Sequence, residues 1–307
     1  MKGVPIPQSQ SSSSRATGGF QSRVVVILAN PVAGRGPKSH LVEELAGALR
    51  DRGLLPLLCR QREELTELVR AQGVALRCVV AAGGDGTFNE VINRAPGVPV
   101  SILPLGNENL VAKQFNLGNS AEKLAQAILA GSIRQLDLAR ARGRYFSLMA
   151  GAGIDAEVVH RVHHSRRSHI SKRTYALQAL WALGSFAYPT IGVENLETGE
   201  RLQGSTAFVF NLPRYGLNLP IASRARPDDG HLDLWVFERP GLRNLVRYFI
   251  AVLRNRHHAM PDVKHRLVKQ VRLVAEGHVP LQVDGDPAGA LPVEIEVAPG
   301  EMQLVIE

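Results

Sequence analysis

The feature that most limits what this chain can become is a set of short, unbroken apolar runs in its first half, each followed by a helical pattern. Arg23–Asn30 (RVVVILAN), Cys78–Ala82 (CVVAA) and Pro99–Leu103 (PVSIL) place hydrophobic side chains on both strand faces. A strand without a polar face must be covered on both sides, which favours a parallel sheet between layers of helix. The segments between the runs supply those helices. Pro37–Arg52 spaces Leu41, Leu45 and Leu49 by one turn and stops at Gly53, and helical patterns also fall at Glu63–Gly73, Phe88–Arg94 and Ser120–Ala130. A further short strand is expected at Leu54–Leu58. Strand alternating with helix predicts an α/β domain over residues 23–135.

Beyond Leu136 the texture changes. Tyr145–Ala150, Gly204–Asn211, Leu232–Phe237, Val271–Ala275, Pro280–Val283 and Val293–Val297 are strand-like runs parted by Gly, Pro and Asp turns. They predict a β-rich, mainly antiparallel second domain over residues 136–307, with helices near 153–187 and 241–256 and the option that its last strand returns to the first domain. Residues 1–22 are dominated by Ser, Gln, Gly and Pro, and are read as a disordered arm outside the fold.

A hydrophobic content of 45% with 21% charged residues excludes a fibre, a wholly disordered chain and an integral membrane protein. No apolar run reaches the roughly 18 residues of a membrane span; Leu177–Val193 is interrupted by Gln178, Gly184 and Pro189. The first twenty residues lack a signal-peptide core. The expectation is a soluble cytoplasmic protein, peripheral to a membrane at most. A net charge of +8 suits an anionic partner: nucleic acid, a phosphate ligand or an anionic membrane surface. Nucleic acid falls away because no basic module with interleaved aromatics is present. Cys59 and Cys78 are read as reduced, buried thiols.

The segment that carries chemistry is Ala81–Ala95, AAGGDGTFNEVINRA. A buried strand ends at Ala82, and Gly83-Gly84-Asp85-Gly86-Thr87 turns into a helix near Phe88. Such a glycine loop at a helix N-terminus seats an anion on backbone amides. Asp85 fits beside phosphate if it holds Mg²⁺, directly or through water; the plainer alternative is a helix cap. Positive charge gathers at His160–Arg173, followed by the apolar Thr174–Phe186, and at Arg254–His258 after Tyr248, Phe249, Ile250 and Leu253. Either stretch reads as a membrane-interface segment or as a solvated helix packed on its own domain.

GGDGTFNEV resembles the nucleotide-binding motif of the diacylglycerol kinase catalytic-domain family, which includes bacterial lipid kinases and the sphingosine and ceramide kinases. Asn30-Pro31-Val32-Ala33-Gly34-Arg35-Gly36, Pro104-Leu105-Gly106-Asn107-Glu108-Asn109, Asp137-Leu138, Asp228-Asp229-Gly230-His231-Leu232-Asp233 and Asp284-Gly285-Asp286-Pro287 are similar to further family motifs, in the family's order. The resemblance implies an NAD kinase/diacylglycerol kinase-like α/β domain with a β-rich partner. It implies an ATP- and Mg²⁺-dependent lipid kinase acting on a hydroxyl of diacylglycerol, a sphingoid base or a related lipid. Asn30, Gly83, Gly84, Asp85, Gly86, Thr87, Asn89, Gly106 and Asn107 would line the ATP site, with weaker support for the strand exit at Cys59. Asp286 would be the general base. Asp229, with the backbone of Arg226 and His231, would form a second metal site. Asn107 replaces the family's Thr, and Leu110 replaces an Asp expected near Mg²⁺. An NAD-type or other soluble small-molecule kinase and a non-catalytic nucleotide- or lipid-binding regulator are the alternatives. The expected partner is lipid at an anionic membrane surface, on its inner face. The oligomeric state is open, with a homodimer one option.

Overall fold

A computed structural model describes residues 22–29, 40–164, 186–214, 216 and 219–306. The Ser-rich arm, Asn30 with its motif, and the basic and apolar stretch over 165–185 lie outside the described residues.

The N-terminal half is α/β. Strands β1 (Val24–Ala29), β2 (Leu55–Cys59), β3 (Leu76–Gly83) and β4 (Val100–Pro104) form a parallel sheet in the order β2-β1-β3-β4. Its strands are apolar on both faces because both are covered. Val25 and Ile27 pack with helices α1 (His40–Arg50) and α5 (Ala121–Ala130), while Val24, Val26 and Leu28 pack with α2 (Leu65–Gln72) and α3 (Asp85–Arg94). Ser120 caps α5 by accepting the Lys123 amide at 3.4 Å. A five-residue helix, α4 (Leu110–Gln114), follows β4 and was not read from the sequence.

The second half is antiparallel. Six strands, β7 (Met149–Gly153), β10 (Thr206–Phe210), β11 (Leu232–Phe237), β12 (Val263–Val268), β14 (Pro280–Val283) and β15 (Asp286–Ala290), form one sheet, ordered β12-β11-β10-β7-β14-β15. The parallel sheet continues as a second layer. It runs on through β16 (Val293–Val305), β13 (Gln270–Ala275), β8 (Ile191–Asn195) and β9 (Arg201–Gly204), with β5 (Ile133–Ala141) and β6 (Arg144–Phe146) beside β16. The long β16 pairs with β4 in parallel through Leu304 and Val100, and with β5 antiparallel. Ala207, Val209, Leu234 and Val236 of one layer meet Ile191, Val271, Leu273 and Ile295 of the other in a shared core. The opposite face of the six-stranded sheet, with Phe208, Trp235 and Phe237, is covered by helix α7 (Leu242–Leu253) through Tyr248 and Val252.

Local details depart from the sequence reading where tertiary contacts intervene. The run Tyr145–Ala150 is two strands, because the amides of Ser147, Leu148 and Met149 turn to the Asp284 carboxylate instead of a neighbouring strand. The expected helix over 153–187 is described as α6 (Ile154–His164). Strands β5, β8, β9, β12 and β15 were not anticipated; β12 (VKHRLV) carries charges because it lies at a sheet edge.

Candidate active site

β3 delivers Gly83 at its carboxyl end, and the chain turns through Gly84 into α3, which opens at Asp85 rather than at Phe88. The amides of Thr87 and Phe88 donate to the Gly84 carbonyl at 3.0 and 3.1 Å. Those of Asp85 and Gly86 belong to a first helical turn, which has no internal acceptor for them and favours an anion. The exit of β4 braces this loop from behind. Leu105 and Gly106 donate their amides to the Gly83 carbonyl at 2.9 and 3.3 Å. The two backbones touch there: a Cβ on Gly106 would lie 2.6 Å from Gly84 Cα and 2.8 Å from Asn109 Oδ1. Gly106 therefore works as a brace of the loop, and Asn107 stands exposed beside it.

A cleft of about 570 Å³ opens in front of the loop. It is lined by Gly84, Gly86 and Thr87 from the loop, by Arg60 and Arg62 from the exit of β2, and by Asp286 from the β-rich half. The two arginines were not singled out from the sequence; the signal would have been basic residues directly after a parallel strand. Arg62 is engaged by Glu63 at 2.9 Å and Glu90 at 3.7 Å. Cys59 itself is buried behind the cleft, its thiol donating to the Gln61 carbonyl at 3.1 Å, and burial pushes that thiol above its ordinary pKa.

Asp286 reaches the cleft by way of a two-residue turn. Val283 pairs with Asp286, and the turn residues Asp284 and Gly285 have φ of 49° and 83°. Asp284 pins that turn. Its carboxylate accepts the amides of Ser147, Leu148 and Met149, each at 2.9 Å, and the Ser147 hydroxyl at 3.2 Å. Burial pushes the Asp284 carboxyl above the usual carboxylate range, against the opposite pull of those backbone amides. Asn89, expected at the nucleotide, accepts the Ser147 hydroxyl at 3.4 Å and bonds Asp284, joining α3 to the hairpin that carries Asp286. Asp284 was read from the sequence only as part of a motif; nothing in the sequence separates its buried role from the exposed role of Asp286.

A second cavity of about 400 Å³ lies in the β-rich half and is almost wholly apolar. Val158, Phe208, Phe237, Leu245, Phe249 and Val252 line it, and Asp155 is the carboxylate on its wall. Gln282 links this cavity to the cleft. Its amide nitrogen donates to Asp155 at 2.8 Å, and its carbonyl accepts the Gly285 amide of the turn at 2.9 Å. A Cβ on Gly151 would fall 2.7 Å from Asp155 Oδ2 and 2.8 Å from Gln282 Nε2, so the contact requires glycine there.

The expected metal residues fall in two places. Asp85 accepts the Leu110 and Val111 amides at 3.0 and 3.1 Å, and so caps α4 rather than its own helix. Each oxygen keeps a second lone pair. With Leu110 in place of a carboxylate, Asp85 alone fits a Mg²⁺ that takes most of its ligands from phosphate and water. Among the described residues no group of three or more His, Cys, Asp or Glu could hold a metal ion. Arg226, Asp229 and His231 lie before β11, apart from the cleft residues. That loop is organised by protein groups: Asp137 accepts the Gly230 and Gly300 amides at 2.8 Å, Asp229 accepts the His231 amide at 3.0 Å, and Arg134 holds Asp228 at 2.8 Å. The hydrogen bond from Arg134 holds the Asp228 carboxyl below its usual range.

Known proteins share this fold. Residues 24–141 match the diacylglycerol kinase catalytic domain, and residues 149–306 match the YegS C-terminal NAD kinase beta sandwich-like domain. A diacylglycerol kinase of Staphylococcus carnosus is 24% identical over 87% of this chain and 89% of its own. One from Mycobacterium tuberculosis is 26% identical over 92% and 94%. In fold, a diacylglycerol kinase crystal structure from Bacillus anthracis superposes with a TM-score of 0.66 at 17% identity, covering 94% of this chain and 98% of that one. Two adjoining domain matches that together run from β1 to β16 make the assignment: the chain belongs to the diacylglycerol kinase catalytic-domain family of lipid kinases.

Proposed function

We propose that the protein transfers the γ-phosphoryl group of ATP to a hydroxyl of diacylglycerol, a sphingoid base or a related lipid. The observation that carries this reading is Asp286: it lines the same cleft as Gly84, Gly86 and Thr87, while Gln282 ties its turn to the apolar cavity. ATP phosphates would lie on the first-turn amides of α3, with Arg60 at the cleft edge. A Mg²⁺ carried by the nucleotide, held partly by Asp85, would neutralise charge on the phosphates. The acyl part of the acceptor would occupy the apolar cavity, and its hydroxyl would reach the cleft. Asp286 takes the hydroxyl proton as the alcohol oxygen bonds to the γ-phosphorus and ADP leaves. Such an acceptor resides in a membrane, and the net charge of +8 suits an anionic surface on the cytoplasmic side, where ATP is found.

The test is label transfer from γ-labelled ATP to a lipid panel, run beside NAD and soluble sugars. Transfer to NAD or sugars alone would overturn the lipid assignment. One observation favours a second reading, a nucleotide- and lipid-binding regulator: Leu110 removes a carboxylate and its amide engages Asp85. That protein would bind ATP and show no turnover with any acceptor.

A further inference from the structure

Helix α7 (Leu242–Leu253) has three faces where an ordinary packed helix has two. At about 100° per residue, Tyr248, Val252 and Leu245 form one stripe. Tyr248 and Val252 are buried against the six-stranded sheet, and Leu245 is partly covered. The next arc, again about 100° wide, holds Leu242, Val246, Phe249, Ile250 and Leu253. These five are 47%, 49%, 46%, 41% and 56% exposed. Beyond them come Arg243 and Arg247, and Arg254 and Arg256 continue the basic edge past the helix. Asp and Glu are absent from the helix itself. The carboxylate packed against it, Asp262, is buried and already engaged by Arg247 and Tyr248, so the outer surface is apolar and positive.

The exposed arc is continuous with the apolar cavity. Leu242, Val246 and Phe249 both line that cavity and face outwards, so its mouth opens along this helix. Tyr248 fixes the orientation: its hydroxyl donates to Asp262 at 2.8 Å and accepts the Arg239 amide at 3.0 Å.

We infer that α7 is the surface that enters a lipid bilayer: it lies in the interface, with its apolar arc among the acyl chains and Arg243, Arg254 and Arg256 on anionic headgroups. This inference rests on the lipid-kinase reading for its occupant. The cavity receives acyl chains directly from the layer in which the helix is seated, so the acceptor need not cross water.

Ile250 and Leu253 lie on the arc without lining the cavity, which makes them the positions to change. The full chain would be floated with vesicles of phosphatidylcholine alone and of phosphatidylcholine with phosphatidylglycerol. The expected result is binding that needs the anionic lipid and falls about tenfold or more in Ile250→Glu/Leu253→Glu. Ile250→Trp should tighten it, because Trp favours the interface. Phosphorylation of a vesicle-borne acceptor should fall with binding, while turnover of a short-chain acceptor dissolved as monomers stays unchanged. Vesicle binding unaffected by either variant, alongside normal lipid turnover, overturns the inference and leaves the kinase reading standing. Two other outcomes also overturn it. A dimer that the double variant converts to monomer would show a second copy on this face. A lowered Tm in the double variant without vesicles would show that another part of the chain covers it. Absence of lipid turnover in every format, with vesicle binding intact, would break the kinase reading alone.

Discussion

The cleft before the glycine loop and the apolar cavity of the β-rich half are built by opposite means. The floor of the cleft is made of backbone: one glycine loop, a helix start and a neighbouring strand exit, with its anion preference in amide directions. The apolar cavity is made of side chains brought from α6, β10, β11 and α7, which are far apart in sequence. An added Cβ at Gly83 or Gly106 meets its neighbours at under 3 Å, whereas a side-chain site changes shape with each substitution. The difference teaches why one half of the reaction is legible as a motif and the other is not. The turn carrying Asp284 and Asp286 joins them, one carboxylate held by backbone amides and the other exposed towards the cleft.

Substitutions that separate these roles should differ in kind. The largest effect belongs to Asp286→Asn, which should lower kcat by about 10²–10⁴ without loss of stability, since the side chain is exposed; a combined kcat and Tm measurement checks it. Asp284→Asn turns one of two accepting oxygens into a donor that faces two of the four donors now bound, and should destabilise the protein by about 1–3 kcal/mol while also lowering kcat. Equal behaviour of the two variants would break the distinction between them. Gly106→Ala should cost about 1–3 kcal/mol and weaken ATP binding, because its Cβ meets the Gly84 backbone. Denaturant midpoints and ATP titration would show both effects.

On the lipid side, Leu245→Trp fills the cavity and should raise KM for long-chain acceptors several-fold while leaving KM for ATP unchanged. A parallel rise in both would mean that the cavities are not separate sites. The smallest effect concerns pH. Burial acts to raise the Asp262 carboxyl, but hydrogen bonds from Arg247 and Tyr248 prevail and hold it below its ordinary value. Its stabilisation is therefore present above the ordinary Asp value of about 3.9 and is lost as pH falls through its own lower value. The stability gap between the wild type and Asp262→Asn should be open at neutral pH and close towards pH 3, read from urea midpoints.

The N-terminal elements were readable because their cause is local. Runs such as VVVILA at Val24–Ala29 and the leucine spacing of α1 contain the information that places them. Strand β5 was not readable, because Arg134, Gln135 and Asp137 interrupt its apolar pattern and its pairing partner β16 lies at the other end of the chain. Among site residues, the Gly83–Thr87 loop was legible as a strand-to-helix turn from the strand before it and the helix after it. Asn89, Asp85 and Gly106 belonged to the same motifs, yet the fold turns them to the domain joint, to α4 and to the loop's back.

Taken alone, the sequence determined the glycine loop, the α/β to β-rich succession and the separate motifs of the family resemblance, because each of these rests on neighbours within a few residues. Only the tertiary structure decided that Asp284 is enclosed and Asp286 open, that Gln282 bridges to Asp155, and that α7 keeps an apolar face in solvent. Those outcomes depend on which distant groups arrive beside a side chain. No periodicity in a single chain records that.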